Sequence, residues 1–255
     1  MVRARLPPVV FRLSPVLLSL LLGACGGLSG EGPGLRGAVA SNFAPWAEEL
    51  GREFARRGGS DVSWSRGSTG KLYAQIVQGA DFDLFLAADS WRPRLLVERG
   101  LAVPGSRFTY ARGRLALWSP DRPPAPELLR NPDLRIALAH PTVAPYGAAA
   151  REVLERMEVW RPESSRLVRG ENVGQAFAFV RTGAVDLGLV ALSSARRGGV
   201  PPGELWIVPA DWHRPLEQQA VRLVTGSSSG SAADFLEFLR SESARKLLVR
   251  AGYRV

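Results

Sequence analysis

"DFDLFLAAD", residues 81–89, decides the fold of this chain. Its centre, Leu84 to Ala88, is an unbroken apolar run, the pattern of a strand covered on both faces. Upstream, "LRGAVA" (35–40) is a short strand and Ala44 to Arg57 a helix, with Trp46, Leu50 and Phe54 four apart on one face. "DVSWS" (61–65) is the next strand, then come "GSTG" (67–70) and a helix through Leu72, Ile76 and Val77. Downstream, "SWRPRLLVERG" (90–100) is helical and stops at Gly100. Strand alternating with helix means parallel strands joined by crossover helices, an α/β fold.

A second set follows. "RLALWSP", "LRIALAHP", "VDLGLVAL" and "ELWIVP" carry strands, and "YGAAAREVLERM" and the stretch from Val173 carry helices. "AVRLVTG" is a last strand, and Ala232 to Ala251 reads as one amphipathic helix. No repeat of 20 to 50 residues is visible. The proline-rich "SPDRPPAPE" (119–127) is the sharpest composition shift in the folded part, and marks either the start of a second domain or a surface loop.

The 255 residues suffice for one large or two modest domains, and 45% apolar residues exclude a disordered chain. The net charge is +9, and every basic residue except Lys71 and Lys246 is arginine. The arginines are scattered, without a basic stripe interleaved with aromatics, so nucleic acid is not the expected partner. A positive surface does suit the capture of a small anion.

Residues 1–25, "MVRARLPPVVFRLSPVLLSLLLGAC", follow the plan of a secretory signal, with arginines, an apolar run and then small residues. The apolar run is too short for a spanning helix. Leu22-Gly23-Ala24-Cys25 resembles a bacterial lipobox, so residues 1–24 are expected to be removed and Cys25 to be lipidated. The plainer alternative is an ordinary signal with a stray cysteine. Residues 25–34 then form a lipidated tether, which gives an exported, membrane-anchored protein whose only membrane contact is its lipid. Cys25 is the only cysteine, so no disulfide within the chain is possible.

Catalytic and metal motifs are missing. The chain has two histidines, His140 and His213, and no HExxH, CxxC, EF-hand, GxSxG or P-loop pattern. Asp81 and Asp83 lie at the start of a strand and do not read as acid/base machinery. A hydrolase using Ser41 or Ser68 would lack a plausible histidine partner. No cofactor is expected.

A junction recurs instead. Ser41-Asn42, "GSTG" (67–70), "APYG" (144–147) and "GENVG" (170–174) each place small hydrogen-bonding residues just ahead of a helix. Helix starts offer unpaired N–H groups and about half a positive charge, hydroxyls add donors, and glycine permits close approach. Each junction alone is an ordinary cap. Four together are a firmer signal: if they converge in a cleft, a dianion can be held without any lysine or arginine touching it.

"VASNFAPW", "GSTGKLYAQIVQGADFDLFLAAD", "APYGAAAREVL" and "GENVGQAFAFVRTGAVDLGLVALSS" resemble, in order and spacing, the periplasmic molybdate-binding proteins of ABC importers. The similarity covers nearly all of 35 to 255. It implies a two-lobed periplasmic-binding-protein fold of type II, each lobe a mainly parallel sheet flanked by helices, with the ligand between them. Lobe one would comprise 35–112 and 219–255, and lobe two 113–218. The resemblance implies a monomer that binds molybdate, usually tungstate as well, and delivers it to a membrane ABC permease. Sulfate or phosphate is the alternative ligand. The family's hydroxyl donors fall on Ser41 and Thr69, or on Ser68 if the turn is shifted. Its main-chain donors fall on Tyr146 and Val173. Some members use a tyrosine where this chain has Ala191, so that one ligand contact is either lost or supplied elsewhere, by Asn172 or Ser193. His140 stands where an aspartate is common. Any molybdenum is thus expected only as the bound oxyanion, through Ser41, Thr69, Tyr146 and Val173.

Overall fold

A computed structural model describes residues 34–225 and 229–255. The signal, Cys25 and the tether up to residue 33 lie outside the described residues.

Two five-stranded sheets make up the molecule. The first contains β1 (Leu35–Ala40), β2 (Val62–Gly67), β3 (Leu84–Ala87), β4 (Phe108–Arg112) and β10 (Glu217–Arg222), in the order β2-β1-β3-β10-β4. The second contains β5 (Leu115–Trp118), β6 (Ile136–Ala139), β7 (Leu167–Gly170), β8 (Leu187–Ala191) and β9 (Leu205–Ile207), in the order β7-β6-β8-β5-β9. In the first lobe α1 (Ala44–Arg56) joins β1 to β2, α2 (Thr69–Val77) joins β2 to β3, and α3 (Trp91–Glu98) follows β3. In the second, α4 (Pro145–Arg156) and α5 (Val173–Arg181) make the matching crossovers, and α6 (Leu192–Arg197) follows β8.

Both lobes thus share a β-α-β-α-β core with the middle strand laid down first, although no sequence repeat announces it. The open side of that order, where the chain goes first one way and then the other, is where such sheets receive ligands at the strands' carboxyl ends. Ser41, Thr69 and Ala88 follow β1, β2 and β3 there. Tyr146 and Val173 follow β6 and β7.

The sheets are mixed, where mainly parallel ones were expected. β1 pairs with β2 and β3 in parallel, but β10 pairs antiparallel with both β3 and β4. Likewise β6 pairs in parallel with β7 and β8, while β5 is antiparallel to β8 and β9. The antiparallel strands include those that carry the chain between lobes. No crossover helix delivers them, so they need not run with the rest.

The chain crosses between the sheets twice. It leaves after β4 through Gly113 and returns into β10 at Glu217, two residues ahead of the expected 219. The crossings touch where the Gly113 amide donates to Leu216 O at 2.8 Å. A Cβ on Gly113 would stand 2.2 Å from the Tyr146 hydroxyl, so this position has room for hydrogen only. The proline-rich loop at 119–127 therefore lies within the second lobe, after β5, and does not open it.

Ala232 to Ala251, expected as one helix, is two: α7 (Ser229–Leu239) and α8 (Glu242–Arg250). The break is chemical, because Ser241 turns its hydroxyl to accept from the Ala244 amide and starts a new helix. Both helices return to the first lobe. Phe235 and Phe238 pack on Phe54, and Leu247 and Leu248 join the same core as Leu35, Val39 and Trp46. At roughly 1.5–3 kcal/mol for each large apolar side chain buried, that contact fastens the C-terminal end to lobe one. The strands β4 and β7 and the short helix α6 were not anticipated in the sequence.

Candidate functional site

The four junctions converge. Ser41, Asn42, Ser68 and Thr69 from the first lobe and Tyr146, Asn172 and Val173 from the second line one small cavity between the sheets. Its free volume is about 10 Å³, close to that of a single water-sized sphere. The lobes are therefore shut on each other here.

Local chemistry fixes each group. Ser41 does not cap α1: the cap position is Phe43, whose buried side chain makes no capping bond. The Ser41 hydroxyl instead accepts from the Gly174 amide across the cleft, at 3.4 Å. The Thr69 hydroxyl accepts from the Ala88 amide at 3.1 Å. Ser68 is the cap of α2 and accepts from Lys71 N at 3.4 Å. Asn172 caps α5, its Oδ1 accepting from Gln175 N at 3.1 Å. In each case a backbone N–H occupies the side-chain oxygen, which leaves the hydroxyl proton, or the Asn172 Nδ2 group, to donate.

The main chain adds more donors. Among the described residues, the amides of Asn42, Thr69, Tyr146 and Val173 have no hydrogen-bond partner. Thr69, Tyr146 and Val173 lie in the first turns of α2, α4 and α5, so the helix dipoles raise the potential in the same place. No lining residue carries a charge. A set of donors around one small space, with no charged side chain among them, suits an anion. Among the described residues no group of three His, Cys, Asp or Glu side chains could hold a metal cation.

The side chain of Tyr146 has another task. It is buried and runs from the cavity toward the crossings at Gly113. Beside it, Asn42 Nδ2 donates to Gln218 Oε1 and to the Tyr253 hydroxyl, both at 2.8 Å. Ser193 Oγ donates to Asn42 O at 3.0 Å. The Trp46 indole N–H reaches Ser193 O at 3.3 Å. These bonds tie α1 and β10 of lobe one to α6 of lobe two, directly behind the anion cavity. Ser193, one of two candidates to replace the family tyrosine contact, is thereby committed to Asn42 and Tyr253 and does not line the cavity. Asn172 does line it.

Tyr110, Tyr146 and Tyr253 share this interior, and burial raises all three phenols above their ordinary range. For Tyr146 the neighbouring Asn42 and Ser193 side chains partly offset that rise, although its hydroxyl makes no bond of good geometry. A phenol that stays protonated when folded but ionises near pH 10 when unfolded favours the native state below pH 10. Above it the unfolded chain holds fewer protons, so stability falls. Urea denaturation is expected to give a flat stability between pH 7 and 9. Above pH 10 the loss should reach up to about 1.4 kcal/mol per pH unit for each tyrosine.

The other chemical candidates lie elsewhere. Asp83 is buried and accepts from Arg36 N, and Asp81 pairs with the Arg36 guanidinium, so both are structural. His140 and His213 are off the cavity, His140 accepting from Thr142 N. A larger cleft of about 570 Å³ adjoins the site on its hinge side, but its walls carry charges of both signs and include none of Ser41, Ser68 and Thr69. Sequence reasoning missed the Asn42 amide and the glycine that lets the lobes meet. The Gly70 amide donates to Val143 O at 2.9 Å across the cleft, and a Cβ there would stand 2.7 Å from that oxygen. The glycine of "GSTG" was the available signal.

Residues 35–254 match the family of bacterial extracellular solute-binding proteins. The chain is 39% identical over 250 residues to the molybdate-binding protein ModA of Rhodobacter capsulatus, a match covering 96% of this chain and 97% of that one. It is 37% identical over 250 residues to the protein of the same name from Azotobacter vinelandii, over 95% and 98% of the two chains. Among solved structures, the periplasmic molybdate-binding protein of Azotobacter vinelandii superposes with a TM-score of 0.82 at 37% identity, covering 87% of this chain and 99% of that one.

Proposed function

The chain belongs to the bacterial extracellular solute-binding proteins, alongside the molybdate-binding ModA proteins, and we propose that it captures molybdate outside the cytoplasm and hands it to an ABC importer. Its relatives are binding proteins, and the work assigned to this chain is likewise capture and release. The observation that carries the reading is the small, uncharged cavity lined by donors from both lobes.

Capture begins with the lobes apart. The first lobe presents the Ser41 and Thr69 hydroxyls with the Asn42 and Thr69 amides, and the oxyanion settles on them. Closure brings the Tyr146 and Val173 amides and the Asn172 side chain onto its far oxygens. The Ala88 amide takes one lone pair of the Thr69 hydroxyl throughout, and the Gly174 amide takes one of Ser41 on closure, which favours turning both protons to the ion. A charge-assisted hydrogen bond contributes about 1.5–3 kcal/mol net, so a few of these support sub-micromolar binding after ordering costs. Donors fixed on two rigid lobes favour an ion of matching radius, and a smaller sulfate cannot reach both sets at once. Neutral donors also ease release, since no salt bridge to the ligand has to break. Tungstate, equal in charge and shape, fits the same set.

We further propose that Cys25 carries a lipid anchor and that the protein acts as a monomer. Recovery of the protein in the aqueous phase of a detergent phase separation would count against the anchor. Calorimetry of the purified protein tests the ligand. Molybdate and tungstate are expected to bind with sub-micromolar Kd, and sulfate at least a hundredfold more weakly. Displacement of molybdate by sulfate at similar concentration would remove the selectivity, and silence toward all three oxyanions would remove the function.

A further inference from the structure

The anion cavity lies between two open clefts, and they differ in charge and in freedom to move. One, of about 420 Å³, shares Gly67, Ser68 and Asn172 with the cavity. The other is the 570 Å³ cleft, which shares Ala88, Ala144 and Pro145 with it. The smaller is walled by two cations, Arg66 and Lys71, and one carboxylate, Glu171. The larger holds two cations, Arg92 and Arg214, against three carboxylates, Asp89, Glu152 and Glu217. Their pairings differ more than their totals. Arg66 is held by Glu48, Arg92 by Asp89 and Arg214 by Glu152, each within its own lobe. Of these cations Lys71, paired across the lobes with Glu171, is the one that opening frees to attract a dianion.

Mechanics favour the same side. The larger cleft is floored by residues 214–217, which lead the second crossing back into β10, so lobe rotation about the crossings opens it least. Its seam is also firmer: Arg92, only 12% exposed and paired with Asp89, donates across the cleft to Thr142 O at 3.2 Å. The seam of the smaller cleft is an ion pair between lobes, Lys71 Nζ to the Glu171 carboxylate at 2.7 Å, with side chains 49% and 65% exposed. Such a solvated pair is easily broken. The structure assigns Lys71 and Glu171 as a charge gate at the mouth through which the oxyanion enters and leaves. With the lobes apart, Lys71 is uncovered and attracts the ion. On closing, Glu171 takes Lys71 as its partner and shuts the mouth. This rests on the oxyanion reading above and adds the route and its gatekeepers.

Stopped-flow tryptophan fluorescence with molybdate at low ionic strength tests it. Lys71→Gln is expected to slow association about threefold, an effect that fades toward 0.5 M salt. Glu171→Gln is expected to leave association unchanged or faster, while both variants dissociate faster than the native protein. Slower association in Lys71→Gln alone separates steering from mere loss of a bridge, since both substitutions break the same pair. Arg214→Gln, which removes an equal charge from the larger cleft, should stay within a factor of two of the native rate. Equal slowing by Lys71→Gln and Arg214→Gln, or equal slowing by Lys71→Gln and Glu171→Gln, would overturn the route alone. No molybdate response from the native protein would overturn the route and the function together.

Discussion

Gly70→Ala is expected to weaken molybdate binding by about a hundredfold or more while leaving the unliganded protein as stable as before, or slightly more so. The added methyl would meet Val143 O at 2.7 Å and Val143 Cα at 3.1 Å, both backbone, and the Arg92 guanidinium at 2.9 Å. Arg92 can swing aside, but the backbone of the opposite lobe cannot. The lobes must then stop short of each other, which forfeits the Gly70–Val143 bond and holds the Tyr146 and Val173 amides off the ion. Two charge-assisted bonds lost at about 1.5–3 kcal/mol each correspond to that factor or more. Gly70 also sits in the first turn of α2, where alanine is the better helix former by up to about 1 kcal/mol. Thermal denaturation with and without molybdate gives the contrast: an unchanged or raised midpoint in the free protein, and a much smaller shift on adding ligand. A free-protein midpoint that falls by several degrees would show that Gly70 serves the fold and not closure.

Ser41→Ala and Thr69→Ala should each raise the Kd for molybdate by roughly ten- to a hundredfold, the value of one hydroxyl donor to a charged partner. The two differ in what else they damage. Thr69 holds the Ala88 amide within the first lobe, so its loss also destabilises the free protein by about 1–3 kcal/mol. Thr69→Ser should restore both properties. Ser41 holds only the Gly174 amide of the opposite lobe, so Ser41→Ala should leave the free protein's stability nearly untouched. Tyr146→Phe keeps the amide that faces the cavity and should change Kd little. Calorimetry on the four variants checks the set. Abolished binding in Tyr146→Phe with normal binding in Ser41→Ala would reverse the roles of side chain and main chain.

Much of this was legible along the chain. "DFDLFLAAD" gave the buried strand β3 because a strand flanked by helices on both faces cannot alternate. The four polar junctions were visible because small residues ahead of a helix leave a local mark. Their convergence was not, since it depends on which strand lies beside which, and β10 pairs with β3 from some 130 residues away in sequence. The break at Ser241 was hidden because α7 and α8 both present apolar residues to the same core, so the periodicity runs on across the cap. The mixed sheets escaped notice for a related reason. Strand direction is set by how the chain arrives, and a two-way crossing leaves no composition signal. The need for glycine at 70 and 113 is set by atoms distant in sequence: Gly70 meets the Val143 backbone of the opposite lobe, and Gly113, in the crossing, meets the Tyr146 ring and hydroxyl. The "GSTG" motif marked the first position without showing what it would meet.

The placement of β10 in the middle of the first sheet has a consequence for how the chain matures. The second lobe is contiguous, from β5 to β9, and can collapse on local pairings as soon as it has emerged. The first lobe has a gap between β3 and β4 that only the last 40 or so residues fill. Closing that long loop is entropically costly and comes late. The first sheet is therefore expected to be completed after the second, once the chain's tail inserts between β3 and β4.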